Sequence, residues 1–389
     1  MTPGARVAAA IEVLDSYLSG TPVEQALTGW ARSHRFAGSK DRAAIRDHVF
    51  DAVRRLASSK ALGGGTDGRA VMIGLLRGQG LDPAELFSGE GHAPAVLKNT
   101  EMAVEAQMTR AQALNCPDWL LPAFDRSLGS DADAVLDSLR NRAPVFVRAN
   151  LAKCDRETAA AILAEDGIDT QPSLLASTAL QVCRNPRKIK TSRAFLDGYV
   201  ELQDAASQAV IETLGIKPGM RVLDYCAGGG GKALAMAALG ADVTAHDLSW
   251  ERMKDIPARA ERAGVSIKRV RHNDLKGLKG FDLVLADAPC SGSGSWRRAP
   301  HGKWLLTPEK LAAIQSAQRD ILRAMPSYLT QDGQMAYATC SVLKSENQDQ
   351  VQAFLSDCDG YLITAERQFT PLDGGDGFYV SQLMHNSGK

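Results

Sequence analysis

The chain has 389 residues, which predicts about two or three domains, and its composition, 44% hydrophobic and 23% charged, is that of an ordinary globular protein. Its 45 basic and 45 acidic residues cancel, which argues mildly against nonspecific nucleic-acid binding but is compatible with a local basic surface. Seven scattered cysteines form no Cys-x-x-Cys pair and no Cys/His cluster, which disfavours disulfides and a bound metal. The sequence has no long apolar run and no signal-peptide pattern, which favours a cytoplasmic protein without a membrane partner.

The N-terminal part, residues 1–127, shows the spacing of amphipathic helices. In SKDRAAIRDHVFDAVRRLASS, apolar side chains recur at steps of three and four residues from Ile45 to Leu56, and ARVAAAIEVLDSYLSG has the same pattern before it ends at Gly20. GGGTDG, residues 63–68, predicts a flexible break before the next helix, RAVMIGLLRGQG. We therefore predict an all-α domain whose role is packing or interaction rather than catalysis.

Residues 128–200 change in pattern and predict a small α+β subdomain. APVFVRAN and LQVCRN are typical of short strands, and RETAAAILAEDG between them is typical of a helix that ends at Gly167. The basic stretch that follows has two explanations, a solvated loop or an edge that contacts RNA phosphates. Its candidate RNA-binding residues are Arg184, Arg187, Lys188 and Lys190.

Strands and helices alternate from residue 201 to residue 389. The strand candidates are MRVLDYC, ADVTAHD, SIKRVR, FDLVLAD and GQMAYAT, and helices begin near Gly231, Trp250 and Pro308. Such alternation predicts a doubly wound, mostly parallel sheet whose ligands bind at the carboxyl ends of the strands. The predicted fold class is therefore α/β, with a Rossmann-like domain preceded by the small α+β subdomain and the all-α domain.

The first strand of this domain runs into a glycine loop, VLDYCAGGGGK. Glycine lets the backbone turn sharply and approach a ligand closely. Asp247, at the end of the next strand, suits a ribose diol, and Asp274 after the third strand suits an adenine amino group. A nicotinamide dinucleotide would require a third glycine at position 233, which is alanine. The pattern therefore favours S-adenosylmethionine, and a glycine turn that serves only helix–sheet packing is the structural alternative.

Two cysteines follow strands that commonly lie side by side in such a sheet, Cys290 after FDLVLADAP and Cys340 after GQMAYAT. Both thiols would then reach one cleft beside the cofactor, and a coincidence of packing is the alternative. Methylation at carbon 5 of a pyrimidine requires a thiolate, because its addition to carbon 6 makes carbon 5 nucleophilic. Asp287 is placed to hydrogen-bond cytosine N3, and a second thiol can assist product release. The spacing does not tell which of the two thiols attacks.

Five short motifs in the second half of the chain carry a family resemblance. They are QDAASQ (203–208), DYCAGGGGK (224–232), DAPCSGSGSWRR (287–298), ATCSVLKSEN (338–347) and DGFYV (376–380). Together they resemble the RsmB-type family of RNA cytosine-5 methyltransferases, which includes the NSUN enzymes, over residues 140–389. KDRAAIRDHVFDAVRR in the helical region is more loosely similar to the NusB-like RNA-binding domain of bacterial members. The resemblance implies a monomeric, metal-free enzyme that uses S-adenosylmethionine and acts on small-subunit (16S) ribosomal RNA.

The resemblance also implies a role for each matched residue. Cys340, in Thr-Cys-Ser, is implied as the nucleophile, and Cys290 as the residue that helps release the product. Asp287 and Lys232 are implied to contact the base or the cofactor. The implied cofactor-binding residues are Cys226, Ala227, Gly228, Gly229, Gly230, Gly231, Lys232, Asp247, Asp274 and Asp287. Arg297 and Arg298 resemble paired arginines near bound RNA.

Two positions depart from the family pattern. Gly228–Gly231 replaces Ala-Pro-Gly-Gly, which predicts a more flexible loop and weaker cofactor binding with unchanged chemistry, and His301 stands where an acidic residue is common. Both cysteines, Asp287 and Lys232 are present, so we favour an enzyme over a non-catalytic RNA-binding or ribosome-assembly factor on the same fold. A DNA cytosine-5 methyltransferase, with its nucleophile in the Pro-Cys motif, is the other alternative, and the Thr-Cys motif, QDAASQ and the helical domain argue against it.

Overall fold

The computed structural model describes residues 1–102 and 107–386, which form two compact units. The first, the helical unit, comprises the described residues within Met1–Asp125 together with Gly129–Arg142 and Trp296–Leu305. The second, the sheet unit, comprises Arg126–Leu128, Ala143–Ser295 and the described residues from Leu306 onward. Within the described ranges, no helix is both long enough and apolar enough to cross a membrane.

Helices make up the N-terminal part of the chain. They are α1 (Pro3–Leu18), α2 (Val23–Ser33), α3 (Ser39–Arg54), α4 (Leu56–Gly63), α5 (Gly68–Gly78), α6 (Asn99–Met102), α7 (Arg110–Ala113), α8 (Leu121–Leu128) and α9 (Ala132–Ser138). The hydroxyl of Thr2 accepts a hydrogen bond from Ala5 N, and Pro3 occupies the first turn, which explains where α1 begins. Val7 of α1, Ile45 of α3 and Ile73 of α5 meet in one apolar core. The predicted all-α character of this region is confirmed.

GGGTDG forms the break between α4 and α5 that its glycines predict. Gly64, with a φ of +70°, ends α4, and Asp67 caps α5 by accepting a hydrogen bond from Ala70 N. A Cβ atom added to Gly63 would lie 1.8 Å from the carbonyl oxygen of Ala70. Glycine is therefore required because the backbones of α4 and α5 touch in a tight helical hairpin.

The small α+β subdomain contains four strands and two helices. They are β1 (Val145–Ala149), α10 (Arg156–Glu165), β2 (Thr170–Pro172), β3 (Ala179–Val182), α11 (Arg193–Leu196) and β4 (Val200–Leu202). The strands pair antiparallel in the order β2-β3-β1-β4. The sequence predicts β1, α10 and β3, but it misses β2 and β4 because strands of three residues are too short to show alternation.

A seven-stranded sheet with flanking helices forms the rest of the sheet unit. Its elements are α12 (Ala205–Thr213), β5 (Arg221–Asp224), α13 (Gly231–Ala238), β6 (Asp242–His246), α14 (Ile256–Ala263), β7 (Ile267–Val270), α15 (His272–Leu275), β8 (Phe281–Asp287), α17 (Pro308–Ala324), β9 (Leu329–Thr339), α18 (Gln348–Asp357), β10 (Tyr361–Phe369) and β11 (Phe378–His385), and α16 (His301–Leu305) lies in the segment assigned to the helical unit. The strand order is β10-β11-β9-β8-β5-β6-β7. All five predicted strands are present, and the antiparallel pair β10 and β11 is an addition.

The order of the strands decides where a ligand can bind. β5, β6, β8 and β9 run parallel, so their carboxyl ends share one edge, and the direction of strand addition reverses between β5 and β8. Val222 and Leu283 pack into the core on one face, while Leu223 and Val284 pack into the core on the other. A sheet buried on both faces explains why these strands are apolar throughout, and why polar residues stand out where they end.

Candidate active site

A cavity of about 820 Å³ opens at the carboxyl ends of β5, β6, β8 and β9. Five of the predicted site residues line it. They are Cys226, Asp247, Asp287, Cys290 and Cys340. They follow or end four strands of the parallel sheet, with Asp287 and Cys290 both at the end of β8, so the strand order brings them to one place.

The glycine loop between β5 and α13 turns beside this cavity. Gly228 and Gly230 have φ values of +50° and +81°, the left-handed region that favours glycine. A Cβ atom on Gly230 would lie 2.7 Å from the side chain of Ile256, so the loop is also closely packed. Gly228 N donates to Asp247 Oδ2 at 2.9 Å, which ties the loop to the end of β6.

Two buried carboxylates lie where β5 and β6 end. Asp247 also accepts hydrogen bonds from Ser249 N and Arg252 Nη1, each at 2.9 Å. Asp224 is 1% exposed, and no described residue hydrogen-bonds either of its carboxylate oxygens. Burial, together with the charge of Asp287, raises the pKa of Asp224 to about 7. Asp247 lines the cavity and Asp224 lies at the end of the neighbouring strand without lining it. A ligand with hydroxyl donors, as S-adenosylmethionine is, would bond to Asp247, so this residue fits the predicted cofactor.

Asp274 does not line the cavity, and its role as a cofactor contact stays a prediction. It is exposed, whereas His272 of α15 is among the residues that line the cavity. His246 Nδ1 lies 2.7 Å from the carbonyl oxygen of Tyr225, which only accepts, so that nitrogen carries the proton. His246 Nε2 then accepts from His272 Nδ1 at 3.3 Å. Burial lowers the pKa of His246, which keeps its ring neutral.

The two predicted thiols meet at the centre of the cavity. β8 and β9 are adjacent and parallel, with Asp287 opposite Ala338, and the Sγ atoms of Cys290 and Cys340 are 3.3 Å apart. The hydrogen bond between them lowers the pKa of Cys340, whereas the same bond and burial raise the pKa of Cys290. One thiol of the pair thus acts as hydrogen-bond donor and the other as acceptor.

Lys232, at the start of α13, brings a positive charge to the thiols. Its side chain is 7% exposed, and its Nζ donates to Asp287 Oδ2 at 2.6 Å. The Lys232 charge lowers the pKa of Cys340, and the Asp287 charge raises it. The ion pair holds Asp287 at the cavity wall, beside both cysteines.

Two arginines that do not line the cavity donate hydrogen bonds to the glycine loop. Arg148 of β1 donates to the carbonyl oxygen of Gly231 at 2.8 Å, and Arg259 of α14 donates to that of Gly229. Glu201 of β4 forms an ion pair with Arg259. Burial lowers the pKa of Arg148 to about 10, which leaves it cationic at neutral pH. The small subdomain therefore contributes directly to the shape of the loop.

Glu346 is a functional candidate that sequence reasoning missed. It is 0% exposed and accepts hydrogen bonds from Ser291 N and Ser341 Oγ, in the residues that directly follow the two cysteines. The motif ATCSVLKSEN contains this glutamate, but a sequence does not tell that its charge is buried against both cysteine loops.

The paired arginines lie in the helical unit. Arg297 is 5% exposed, and its carbonyl oxygen accepts from Arg54 Nε at 2.9 Å, whereas Arg298 is exposed. Lys303 Nζ donates to the carbonyl oxygen of Arg54 at 3.0 Å, so the segment is anchored to α3. Of the two, Arg298 is the one whose side chain is accessible from solvent.

The basic residues of the small subdomain are all exposed. Arg184, Arg187, Lys188 and Lys190 lie on or next to the short helical segment Pro186–Thr191. Arg184 lies 3.6 Å from Asp169, a distance at which an exposed ion pair contributes little. All four side chains are accessible from solvent.

Comparisons with known proteins agree with this architecture. A family model described as 16S rRNA methyltransferase RsmB/F matches residues 211–384, and one described as a Methyltr_RsmF/B-like, ferredoxin-like domain matches residues 116–188. A solved structure, a methyltransferase homolog protein from Pyrococcus horikoshii, is 22% identical with a TM-score of 0.62, over 71% of this chain and 97% of that one. This likeness supports the fold.

Two relatives have the same name, ribosomal RNA small subunit methyltransferase B. That of Vibrio cholerae is 32% identical over 309 residues, which cover 74% of this chain and 71% of the relative. That of Serratia proteamaculans is 31% identical over 284 residues, which cover 69% of this chain and 66% of the relative, just under two thirds of its length. The family resemblance, the α/β fold and S-adenosylmethionine as cofactor are thereby confirmed. The chain belongs to the RsmB/F family of 16S rRNA methyltransferases.

Proposed function

We propose that this protein methylates carbon 5 of a cytosine in small-subunit ribosomal RNA and that Cys340 is the nucleophile. The observation that carries the proposal is the pair of thiols 3.3 Å apart at the ends of β8 and β9, beside Asp287 in the cavity. Methylation of an exocyclic amino group requires no thiol, whereas methylation at carbon 5 requires covalent activation of the ring.

The residues divide the chemistry between them. The Cys340 thiolate adds to carbon 6 of the base, a C–S bond forms, and carbon 5 becomes nucleophilic. As the thiolate adds, N3 of the base takes up a proton from water, and Asp287, held by Lys232, accepts a hydrogen bond from the N3–H so formed, which stabilises the enamine. S-adenosylmethionine, held by the glycine loop and Asp247, supplies the electrophilic methyl group. After carbon 5 has lost its proton to a base, the C–S bond breaks, its electrons return to Cys340, and Cys290 assists this release.

Ribosomal RNA is the substrate that the names of the family and of its relatives favour. Exposed cations at Arg184, Arg187, Lys188, Lys190 and Arg298 supply phosphate contacts, and the target base is extruded from its stack to enter the cavity. We propose the NusB-like role in RNA binding for the helical unit on the same basis. The cytoplasmic location and the monomeric state stay predictions.

Covalent trapping with methyl-labelled S-adenosylmethionine and ribosomal RNA tests the proposal. The wild-type chain, Cys290→Ala and Cys340→Ala are compared on a denaturing gel, and Cys183→Ala, at an exposed cysteine outside the cavity, is the matched control. We expect a stalled protein–RNA adduct with C290A and neither adduct nor methylated RNA with C340A. The reverse pattern would make Cys290 the nucleophile, as in the DNA-type mechanism. No label transfer by any form would favour the non-catalytic RNA-binding alternative.

A further inference from the structure

We propose that Glu346 is a positioning residue that assigns different roles to the two cysteines: it fixes both cysteine loops, and its negative charge keeps Cys290 a neutral thiol while Cys340 becomes the thiolate. The inference deepens the proposed function and rests on it. The hydrogen bonds and charges that support it belong to this chain alone and involve no ligand.

The contacts of Glu346 join the two loops through one side chain. Its Oε1 accepts from Ser291 N at 2.7 Å and from Gln318 Nε2 at 3.2 Å. Its Oε2 accepts from Ser291 Oγ and from Ser341 Oγ, each at 2.6 Å. Gln318 also donates to the carbonyl oxygen of Pro289, which precedes Cys290. Both oxygens of a fully buried carboxylate are therefore used by the residues that flank the cysteines.

The hydrogen bonds around Glu346 suit a carboxylate. Its Oε1 faces N–H donors only, from Ser291 N and Gln318 Nε2. Ser341 Oγ accepts from Leu343 N at 3.0 Å, and Ser293 Oγ accepts from Val342 N at 2.9 Å. The two hydroxyls are 2.8 Å apart, so with Ser341 donating to Glu346, Ser293 donates to Ser341. The serines of both cysteine loops are thereby joined to Glu346 in one set of hydrogen bonds.

The charges around the two thiols are arranged asymmetrically. The hydrogen bond to Cys340 and burial are the largest causes that raise the pKa of Cys290, and the Glu346 charge adds to them. Around Cys340, the Lys232 charge opposes that of Asp287. Cys290 thus faces the unopposed charge of Glu346, whereas the charges of Asp287 and Lys232 oppose each other at Cys340, whose pKa is lowered mainly by the hydrogen bond with Cys290. This arrangement favours ionisation of Cys340 alone.

A neutral Cys290 has a chemical use. Its S–H can donate to the Cys340 sulfur across the 3.3 Å that separates them, which stabilises the thiolate before attack. It stabilises the same anion when the C–S bond breaks and the electron pair returns to Cys340. The hydroxyl of Tyr337 donates to the carbonyl oxygen of Glu346 at 2.7 Å. Burial raises the pKa of Tyr337, so this hydroxyl stays neutral. An anionic Cys290 would instead repel the leaving thiolate.

Thiol reactivity in the absence of RNA and cofactor tests the inference. Cys340→Ser and Cys340→Ser/Glu346→Gln are treated with an aromatic disulfide reagent over a range of neutral to alkaline pH, and the rate at Cys290 is followed by peptide mass spectrometry. For each unit by which the pKa of Cys290 falls, Cys290 should react about threefold faster with the reagent, because the gain in thiolate fraction exceeds the loss in nucleophilicity. In the Cys290→Ser background, E346Q should leave the rate at Cys340 unchanged. A role that is only structural would change both rates together.

Controls keep the outcome interpretable. Asp349→Asn removes an exposed carboxylate three residues from Glu346 and should accelerate neither thiol. Ser291→Ala keeps the Glu346 charge and removes one hydrogen bond, so Cys290 should stay as slow as in its parent even if E346Q does not fold. Equal acceleration of both thiols, no acceleration of Cys290 in a folded E346Q chain, or a fast Cys290 in S291A would overturn the inference. Failure of the RNA-trapping experiment would leave these rates untouched, so the two proposals can fail separately.

Discussion

Lys232→Met tests whether a buried ammonium group controls the ionisation of Cys340. Lys232 Nζ lies 2.6 Å from Asp287 Oδ2, with 7% of the lysine side chain and 33% of the aspartate side chain exposed. Methionine keeps most of the length of lysine and removes its charge. Cys340 then loses the charge that lowers its pKa, while Asp287, which raises that pKa, loses its partner. A hydrogen bond to a charged group contributes about 1.5–3 kcal/mol, so kcat/KM at neutral pH should fall about 10- to 100-fold.

The pH dependence separates electrostatics from structure. A raised Cys340 pKa leaves less thiolate at neutral pH, so the activity of K232M should recover as the pH rises, and the rising limb of its pH–rate profile should move to higher pH. The assay measures methyl transfer to ribosomal RNA and, in parallel, the rate of Cys340 alkylation. Lys344→Met, at an exposed lysine, is the control. A rate that falls by the same factor at every pH would refute the reasoning, because Lys232 would then act on structure alone.

Two further substitutions address the cofactor site. Arg148→Met removes a donor to the Gly231 carbonyl oxygen and should weaken S-adenosylmethionine binding about tenfold in calorimetry. Arg193→Met, at an exposed arginine, should leave the affinity unchanged. An R148M affinity equal to that of wild type would contradict the loop-shaping role. Burial raises the pKa of Asp224 from 3.8 to about 7. The contribution of protonated Asp224 to the free energy of unfolding is therefore fully present below about pH 4 and is lost as the pH rises through 7. In the absence of cofactor, Asp224→Asn should therefore resist urea better than wild type above pH 7, by at most about 4 kcal/mol, and equally in acid. The exposed Asp242→Asn should show no such gain, and a pH-independent difference for D224N would exclude the titration.

The parallel part of the sheet could be predicted because its sequence pattern is strong. β5, β6, β8 and β9 are apolar runs that end in polar residues, and the parallel order then brings Cys290 and Cys340 to one edge. β10 was not predicted, because most of YLITAERQF is exposed and the segment lacks a continuous apolar face. β11 was recognised only as the motif DGFYV, since its pairing with β9 depends on contacts distant in sequence.

The residues that sequence reasoning missed share one property, which is that their position and partners come from tertiary structure. Glu346 is one acidic residue among many in the sequence, and only the fold shows that it is fully buried beneath two serines. His272 precedes the expected Asp274 by two residues, and the start of α15 determines which of them faces the cavity. A pattern of residue types can therefore indicate which strand end carries chemistry, but it does not select the side chain that reaches the ligand.

The four-glycine loop departs from the Ala-Pro-Gly-Gly pattern of the family, and contacts with the rest of the protein can offset this departure. Glycine in place of proline at position 229 frees the unfolded chain and costs about 1 kcal/mol of stability for a loop that must be ordered. Arg259 and Arg148 each donate a charged hydrogen bond to this loop, at Gly229 and Gly231, and such bonds contribute about 1.5–3 kcal/mol. The free energy contributed by these two hydrogen bonds exceeds the conformational cost. The loop is therefore ordered by the two arginines rather than by a proline ring within the loop. The weaker cofactor binding that the sequence predicts should therefore emerge only when these arginines are removed.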